Sequence, residues 1–131
     1  MYIYQFNKET GRVITKFDSN FIMSRILKLS GQSYIGCAHL EREGIIGYHQ
    51  APTPQLFLIV NGDGRIRGSD NIDYYITQGD AVYWEKGEWH ETRTDSGLTA
   101  IIIEGEEINS STLQLISKEG SKSEIISERT Q

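Results

Sequence analysis

The sequence predicts an all-β protein built as an antiparallel sandwich or barrel. Turn-forming residues recur roughly every 8 to 12 residues along most of the chain. Between these turns lie short runs rich in β-branched and aromatic residues, and glycine is frequent (13) while proline is rare (2). Many short strands at such spacing are typical of all-β sandwiches and barrels.

Four of these runs are predicted as strands: residues 55–60, 72–76, 81–84 and 98–103. The glycine-rich segment 61–64 is predicted as a turn, and so are residues 43–44. Residues 1–30 are more strand-like than helical, although 21–29 fits either periodicity. Residues 106–131 are rich in Ser, Glu and Lys, which predicts a polar tail with one short helix over 110–118 and a frayed end.

Composition and charge restrict the function classes. The 131 residues predict one domain, and the net charge of −5 argues against binding the phosphate backbone of nucleic acids. No apolar run approaches the roughly 20 residues needed to span a bilayer. The N-terminus lacks the features of a secretory signal, and the single Cys37 cannot form an internal disulfide. We therefore expect a cytoplasmic protein without membrane or nucleic-acid partners, with Cys37 in buried packing.

Two blocks of the sequence contain a histidine among glycines at regular spacing. In the first, Gly44 precedes His49, Gln55 follows the histidine after five residues, and Gly62 follows after six more. Ala51 lies two residues after the histidine, where a second histidine would complete a metal-binding pattern.

The second block contains Gly79, Gly87 and His90 in register, with Glu85 and Thr94 at its remaining positions. Together the two blocks resemble the two sequence motifs of the cupin superfamily, over about residues 35–105. In the family pattern, Glu85 would be proline, Thr94 would be asparagine, and the opening glycine of motif one would lie one residue from Gly44.

The resemblance implies an antiparallel jelly-roll barrel over residues 1–105, with motif one at about 44–62, motif two at about 79–94 and the polar tail at 106–131. In metal-binding cupins, two histidines and a glutamate of motif one bind a divalent ion together with the histidine of motif two. Here the resemblance leaves His49, Gln55 and His90 as metal ligands. Because Ala51 cannot ligate and Gln55 carries no charge, we expect zinc, iron, nickel or copper to be held weakly.

Alternation along the strands places His49, Gln55, Phe57, Ile59, His90 and Thr92 on the inner face of the predicted barrel. Tyr48, Phe57, Tyr83 and Trp89 are candidate ligand-binding residues, since small barrels can enclose one small ligand. If the strands beside Glu43 and Gly44 pair as a hairpin, His39 lies opposite Tyr48 and points away from His49.

Two functions remain open. The resemblance implies a metal-assisted enzyme of dioxygenase or isomerase type, for which Tyr48, Tyr83 and Glu41 are unranked candidate acids or bases. The alternative is a non-catalytic, sensor-like binding module without metal. Residues 54–64 are similar to the cupin-like effector-binding half of AraC-type regulators, where glutamine often precedes the hydrophobic strand. The chain contains no helix-turn-helix domain of the kind those regulators carry.

Under either function we expect a homodimer, which the resemblance also implies. Residues 1–6 alternate tyrosine with apolar side chains and have no evident partner inside a minimal barrel. Pairing with a second subunit would remove the hazard of an exposed strand.

Overall fold

A computed structural model describes residues 1–118 as an almost entirely β structure, as predicted. Two single-turn 3-10 helices, Lys8–Thr10 and Lys16–Asp18, complete the regular elements of this part of the chain. No helix within it is long and apolar enough to cross a membrane. The strands are β1 (Tyr2–Gln5), β2 (Arg12–Ile14), β3 (Phe21–Met23), β4 (Tyr34–Leu40), β5 (Ile45–Gln50), β6 (Gln55–Arg67), β7 (Tyr74–Thr77), β8 (Asp80–Trp84), β9 (Trp89–Arg93), β10 (Leu98–Glu104) and β11 (Ile116–Ser117).

The strands form two antiparallel layers that share β6, which is a jelly-roll arrangement. The first layer has the order β11-β1-β8-β6-β10-β4. In the second layer β6 pairs with β7 and β9, and β9 pairs with β5. Within residues 1–118 the layers do not close into a full barrel, because β4 pairs only with β10 and β5 only with β9. β2 and β3 form a separate two-stranded sheet.

The predicted turn at residues 61–64 is wrong, because β6 runs through this segment without reversing. Residues Gln55–Leu58 pair with β8 in the first layer, and the later residues Asp63–Arg67 belong to the second. Between them the pairing with β10 shifts, and Gly62 adopts a φ of +84°. Glycine takes this left-handed conformation without steric cost, so the strand bends from one layer to the other at a bulge.

Alternation along the strands produces two apolar clusters, one on each face of the first layer. The cluster between the layers includes Phe57, Ile59, Ile66, Val82 and Trp84. On the opposite face, a second cluster is covered by residues from segments 26–29 and 108–115; its buried members are Leu56, Leu58, Ala81, Tyr83, Ile103 and Ile108.

Both ends of the described chain pack differently from expectation. Residues 1–6 have partners within the chain, since β1 pairs with β8 on one side and β11 on the other. The short helix expected over 110–118 is wrong: Leu113 forms a β-bridge with Leu27, and β11 extends the first layer. The apolar residues of this segment pack on the sheet, and this tertiary packing outweighs a weak local helix propensity. Residues 119–131 of the predicted polar tail lie outside the described residues.

The strands beside Glu43 and Gly44 do not form a hairpin ladder. The turn itself is present, with the Gly44 N–H donating to the Glu41 carbonyl over 2.9 Å. Its two strands enter different layers, however, so His39 lies opposite Thr99 of β10 and is exposed. Cys37 is also exposed, so the expectation that it is buried is wrong: β4 is an edge strand and is covered on one side only.

Candidate functional site

The structure brings the two motif histidines together. His49 on β5 lies directly opposite His90 on β9, and their ring centroids are 4.5 Å apart with 51° between the planes. The His49 ring is exposed, and its Nδ1 lies 2.7 Å from the Gly47 carbonyl oxygen. Because a carbonyl only accepts hydrogen bonds, this contact assigns the proton to Nδ1 and leaves the Nε2 lone pair available in the neutral ring.

His90 is buried, with 2% of its surface exposed, and its ring stacks on the indole of Trp84. Burial lowers the pKa of His90 to about 4, with a further contribution from neighbouring His49 and a smaller opposing effect of Glu88. The ring is therefore neutral at pH 7 and offers one hydrogen-bond donor and one acceptor.

Trp84 is completely buried and also contacts Phe57 edge-on, with ring centroids 5.8 Å apart. Its Nε1–H has no hydrogen-bond partner within residues 1–118, and neither ring nitrogen of His90 has one. These three are the full set of such deeply buried, unpartnered side-chain atoms in the described chain. An unpaired buried polar group costs about 1–3 kcal/mol of folding free energy. Because all three such atoms belong to the stacked Trp84 and His90 rings, a polar molecule that bonded to them would be favoured there.

Gln55, the third predicted metal ligand, is buried at the start of β6 opposite Trp84 of β8. Its amide Nε2 donates to Oε1 of Glu104 over 3.1 Å, and Glu104 is its ladder partner on β10. Sequence reasoning missed Glu104, since it lies in neither motif and just beyond the predicted strand 98–103. Its alternation with Ala100 and Ile102, both of which pack in the interior cluster, was the available signal.

A cavity of about 270 Å³ lies beside this amide–carboxylate pair, at the edge strand β4. Glu104, Ile102 and Gly36 contribute to its lining, and a side chain added at Gly36 would meet no atom within 4 Å. A larger cavity of about 490 Å³ involves β2, β3 and residues 114–116, so it belongs to a different part of the molecule from the histidine pair.

The four aromatic residues predicted to bind a ligand lie in three different places. Phe57 lies in the interior beside Trp84. Tyr48 and Trp89 are partly exposed and stack on each other, with centroids 5.2 Å apart, on the opposite side of their strands from His49 and His90. The Tyr83 hydroxyl donates to the Ile108 carbonyl in the outer cluster, over 3.2 Å.

The donor set does not fit the four-ligand metal centre that the resemblance implies. Two imidazoles face each other, but Ala51 supplies no donor and Gln55 offers only a neutral amide oxygen in place of a carboxylate. Across residues 1–118, no group of three or more His, Cys, Asp or Glu side chains is arranged to hold a metal ion.

Comparisons with known proteins identify the fold. No family model and no curated protein matches the chain. Among solved structures, a cupin superfamily protein from Desulfitobacterium hafniense is similar, with a TM-score of 0.53, 15% identity, and coverage of 60% of this chain and 72% of that one. A conserved protein of unknown function from Streptococcus pyogenes has the same TM-score, 18% identity, and coverage of 64% and 73%.

A cupin-2 domain containing protein from Shewanella frigidimarina matches with a TM-score of 0.51, 17% identity, and coverage of 61% and 76%. These likenesses, together with the two-layered jelly roll, show that the chain has the cupin fold, as the motif resemblance predicted. A shared fold does not by itself specify a reaction.

Proposed function

We propose that this cupin-fold protein binds a small polar organic molecule in its interior, without catalysing a reaction, through Trp84 and His90. The observation that carries the proposal is the set of three buried polar atoms on these two side chains, none with a partner in the described chain. A ligand that satisfies all three would recover the free energy that their burial costs. His49, whose exposed ring lies 4.5 Å from that of His90, would flank this site.

The polar atoms define the chemistry of the ligand. The Trp84 indole can only donate, while neutral His90 donates once and accepts once, so the ligand needs two acceptors and one donor. The carboxylate of Glu104, hydrogen-bonded to Gln55, disfavours an anion. A neutral hydroxy-carbonyl compound or a small amide meets these requirements.

A fragment screen followed by NMR tests the proposal. Neutral fragments such as glycolamide, acetamide and hydroxyacetone should shift the indole N–H resonance of Trp84, and the Trp84→Phe or His90→Phe variant should weaken their binding at least tenfold. Trp89→Phe is the matched control, because Trp89 lies on the outer face of the second layer, on the opposite side of β9 from His90, and should leave binding unchanged. If no neutral fragment perturbs Trp84, or if Trp89→Phe weakens binding equally, the proposal fails.

A second candidate is weak binding of a divalent transition metal ion by the histidine pair. It is favoured by the facing rings of His49 and His90 and by the contact of His49 Nδ1 with the Gly47 carbonyl, an orientation also found in metal-binding histidines. Zinc, iron, nickel and copper all accept imidazole nitrogen.

Elemental mass spectrometry of untagged protein distinguishes the two candidates. Near-stoichiometric metal that disappears in the His49→Ala, His90→Ala double variant, but not in His39→Ala, would establish the metal and displace the metal-free proposal. Absence of metal after incubation with excess zinc or nickel would exclude this second candidate and leave the organic ligand.

A further inference from the structure

Strand β4 is an uncovered edge of the first layer. Its residues Tyr34–Leu40 form seven consecutive pairs with β10, without a bulge. On its other side, no strand of residues 1–118 pairs with it. An edge of this kind presents a row of backbone N–H and C=O groups that are suited to pairing with a further strand.

The usual protections of an exposed edge are missing from this strand. Its sequence YIGCAHL contains no proline, lysine, arginine, aspartate or glutamate. Natural proteins protect free edges with charges, proline or bulges, since an unguarded edge associates with other chains. Tyr34 and Ile35, on opposite faces of β4, are 75% and 69% exposed, so both faces of the edge carry unburied apolar surface.

We propose that β4 pairs antiparallel with β4 of a second copy of the chain, about a two-fold axis at Cys37. Cys37 is the middle residue of the seven, so an axis there pairs the full strand with its counterpart. In this register Cys37 lies opposite itself, Gly36 lies opposite Ala38 of the second copy, and Ile35 lies opposite His39 of the second copy. The result is one sheet that continues through both jelly rolls.

A second copy fits this edge better than other occupants. Only an extended strand supplies backbone donors and acceptors along the whole edge, and antiparallel pairing is self-complementary about a two-fold axis. The longest uncharged run in residues 119–131 is three residues, against seven in β4. The second copy would also border the cavity to which Gly36 and Glu104 contribute.

Cysteine cross-linking tests the register in the full-length protein. Mild oxidation with diamide should link Cys37 to its counterpart, because directly opposed residues have Cα atoms about 4.5–5.5 Å apart, within disulfide range. The matched control is His39→Cys in a Cys37→Ser background. Its cysteines would be offset by four residues, about 13 Å along the strands, and should cross-link at least tenfold less efficiently.

Sedimentation equilibrium tests the association itself. The native protein and Cys37→Ser should form dimers at micromolar concentration, whereas Cys37→Lys, which places two like charges at the axis, should raise the dissociation constant at least about tenfold. Since Cys37 is exposed, its lysine variant should keep the melting temperature of the monomer.

Three results would overturn the proposal: a dimer unaffected by Cys37→Lys, stronger cross-linking at position 39 than at 37, or a full-length chain that stays monomeric at 100 µM. If the protein is a monomer, slow hydrogen exchange of the β4 amides would indicate that residues 119–131 pair with this edge. Fast exchange would leave it open to a strand of another protein.

Discussion

The imidazole of His90 lies almost parallel to the indole of Trp84, with ring centroids 4.2 Å apart and 26° between the planes. This stack removes both rings from solvent and leaves their three nitrogen atoms without partners in the described chain. The same contact therefore excludes water from the histidine and leaves three buried nitrogen atoms without hydrogen bonds within residues 1–118. The proposed ligand site is inferred from these three atoms.

The first prediction concerns acid stability. The pKa of His90 is about 4 in the folded protein against an ordinary value of 6.5, so between these values the unfolded chain binds a proton that the folded chain does not. The contribution of His90 to folding stability is therefore complete above pH 6.5 and is lost as the pH falls towards 4. The loss amounts to about 3 kcal/mol at most, and urea unfolding at pH 7.5 and 4.5 measures it.

His90→Phe is the control for this prediction, because it fills the same space without titrating. The difference in unfolding free energy between the native protein and this variant should change by about 3 kcal/mol across that pH range. An NMR titration that places the midpoint of His90 near 6.5 would contradict the prediction.

The second prediction separates packing from hydrogen bonding at Trp84. Trp84→Phe removes the unpartnered N–H but keeps an aromatic ring against Phe57 and His90, so the free energy of unfolding should fall by no more than about 2 kcal/mol. Trp84→Ala should cost about 3–5 kcal/mol, since it empties a completely buried site. Equal losses in the two variants, measured by urea unfolding, would show that the N–H has an essential partner.

The third prediction concerns Glu91, which is 5% exposed and accepts hydrogen bonds from both Arg67 and Arg93 over 2.9 Å. These two guanidinium groups hold the pKa of Glu91 below its ordinary value, so its contribution is present above that value and is lost as the pH falls. Because Arg67 is partly exposed and Arg93 is exposed, solvent screens the ion pairs, and Glu91→Gln should cost about 1–3 kcal/mol at pH 7.

The matched control is Glu106→Gln. Its carboxylate lies 3.6 Å from Lys86 and both side chains are exposed, so unfolding in urea should detect a change below about 0.5 kcal/mol. A loss at Glu106 as large as that at Glu91 would show that burial does not distinguish these two pairs.

The fourth prediction tests the bend in β6. Gly62→Ala should destabilise the fold by about 1–3 kcal/mol, because φ is +84° and the added methyl group would collide with the Gly97 carbonyl oxygen. Gly47→Ala serves as the comparison, since a methyl group there meets no atom within 4 Å and the melting temperature should be unchanged. A Gly62→Ala protein as stable as the Gly47→Ala protein would exclude a required left-handed residue at the bend.

Part of the candidate site was predictable from local pattern. The motif spacing identified His49 and His90, and alternation correctly placed Phe57, Ile59, His90 and Thr92 in buried positions. The same alternation places Tyr48 and Trp89 on the opposite side of their strands from the histidines. Their position on the outer face was therefore predictable, although both were expected to bind a ligand in the interior.

Other features depended on contacts between distant residues. Glu104 reaches Gln55 only because β10 pairs with β6 in one particular register, and no local signal specifies that register. The helix predicted over 110–118 failed for the same reason, since the sheet face beneath Leu113 determines the conformation of that segment.

The sequence by itself determined the all-β class, the four central strands and the two histidines, because strand propensity, side-chain alternation and turn residues act over a few neighbouring positions. Only the tertiary structure decided that β4 and β5 enter different layers, that β6 bends at Gly62 rather than turning back, and that His90 packs against Trp84. Those outcomes depend on which apolar faces are buried together across the whole chain, and that long-range choice is not encoded in any single segment.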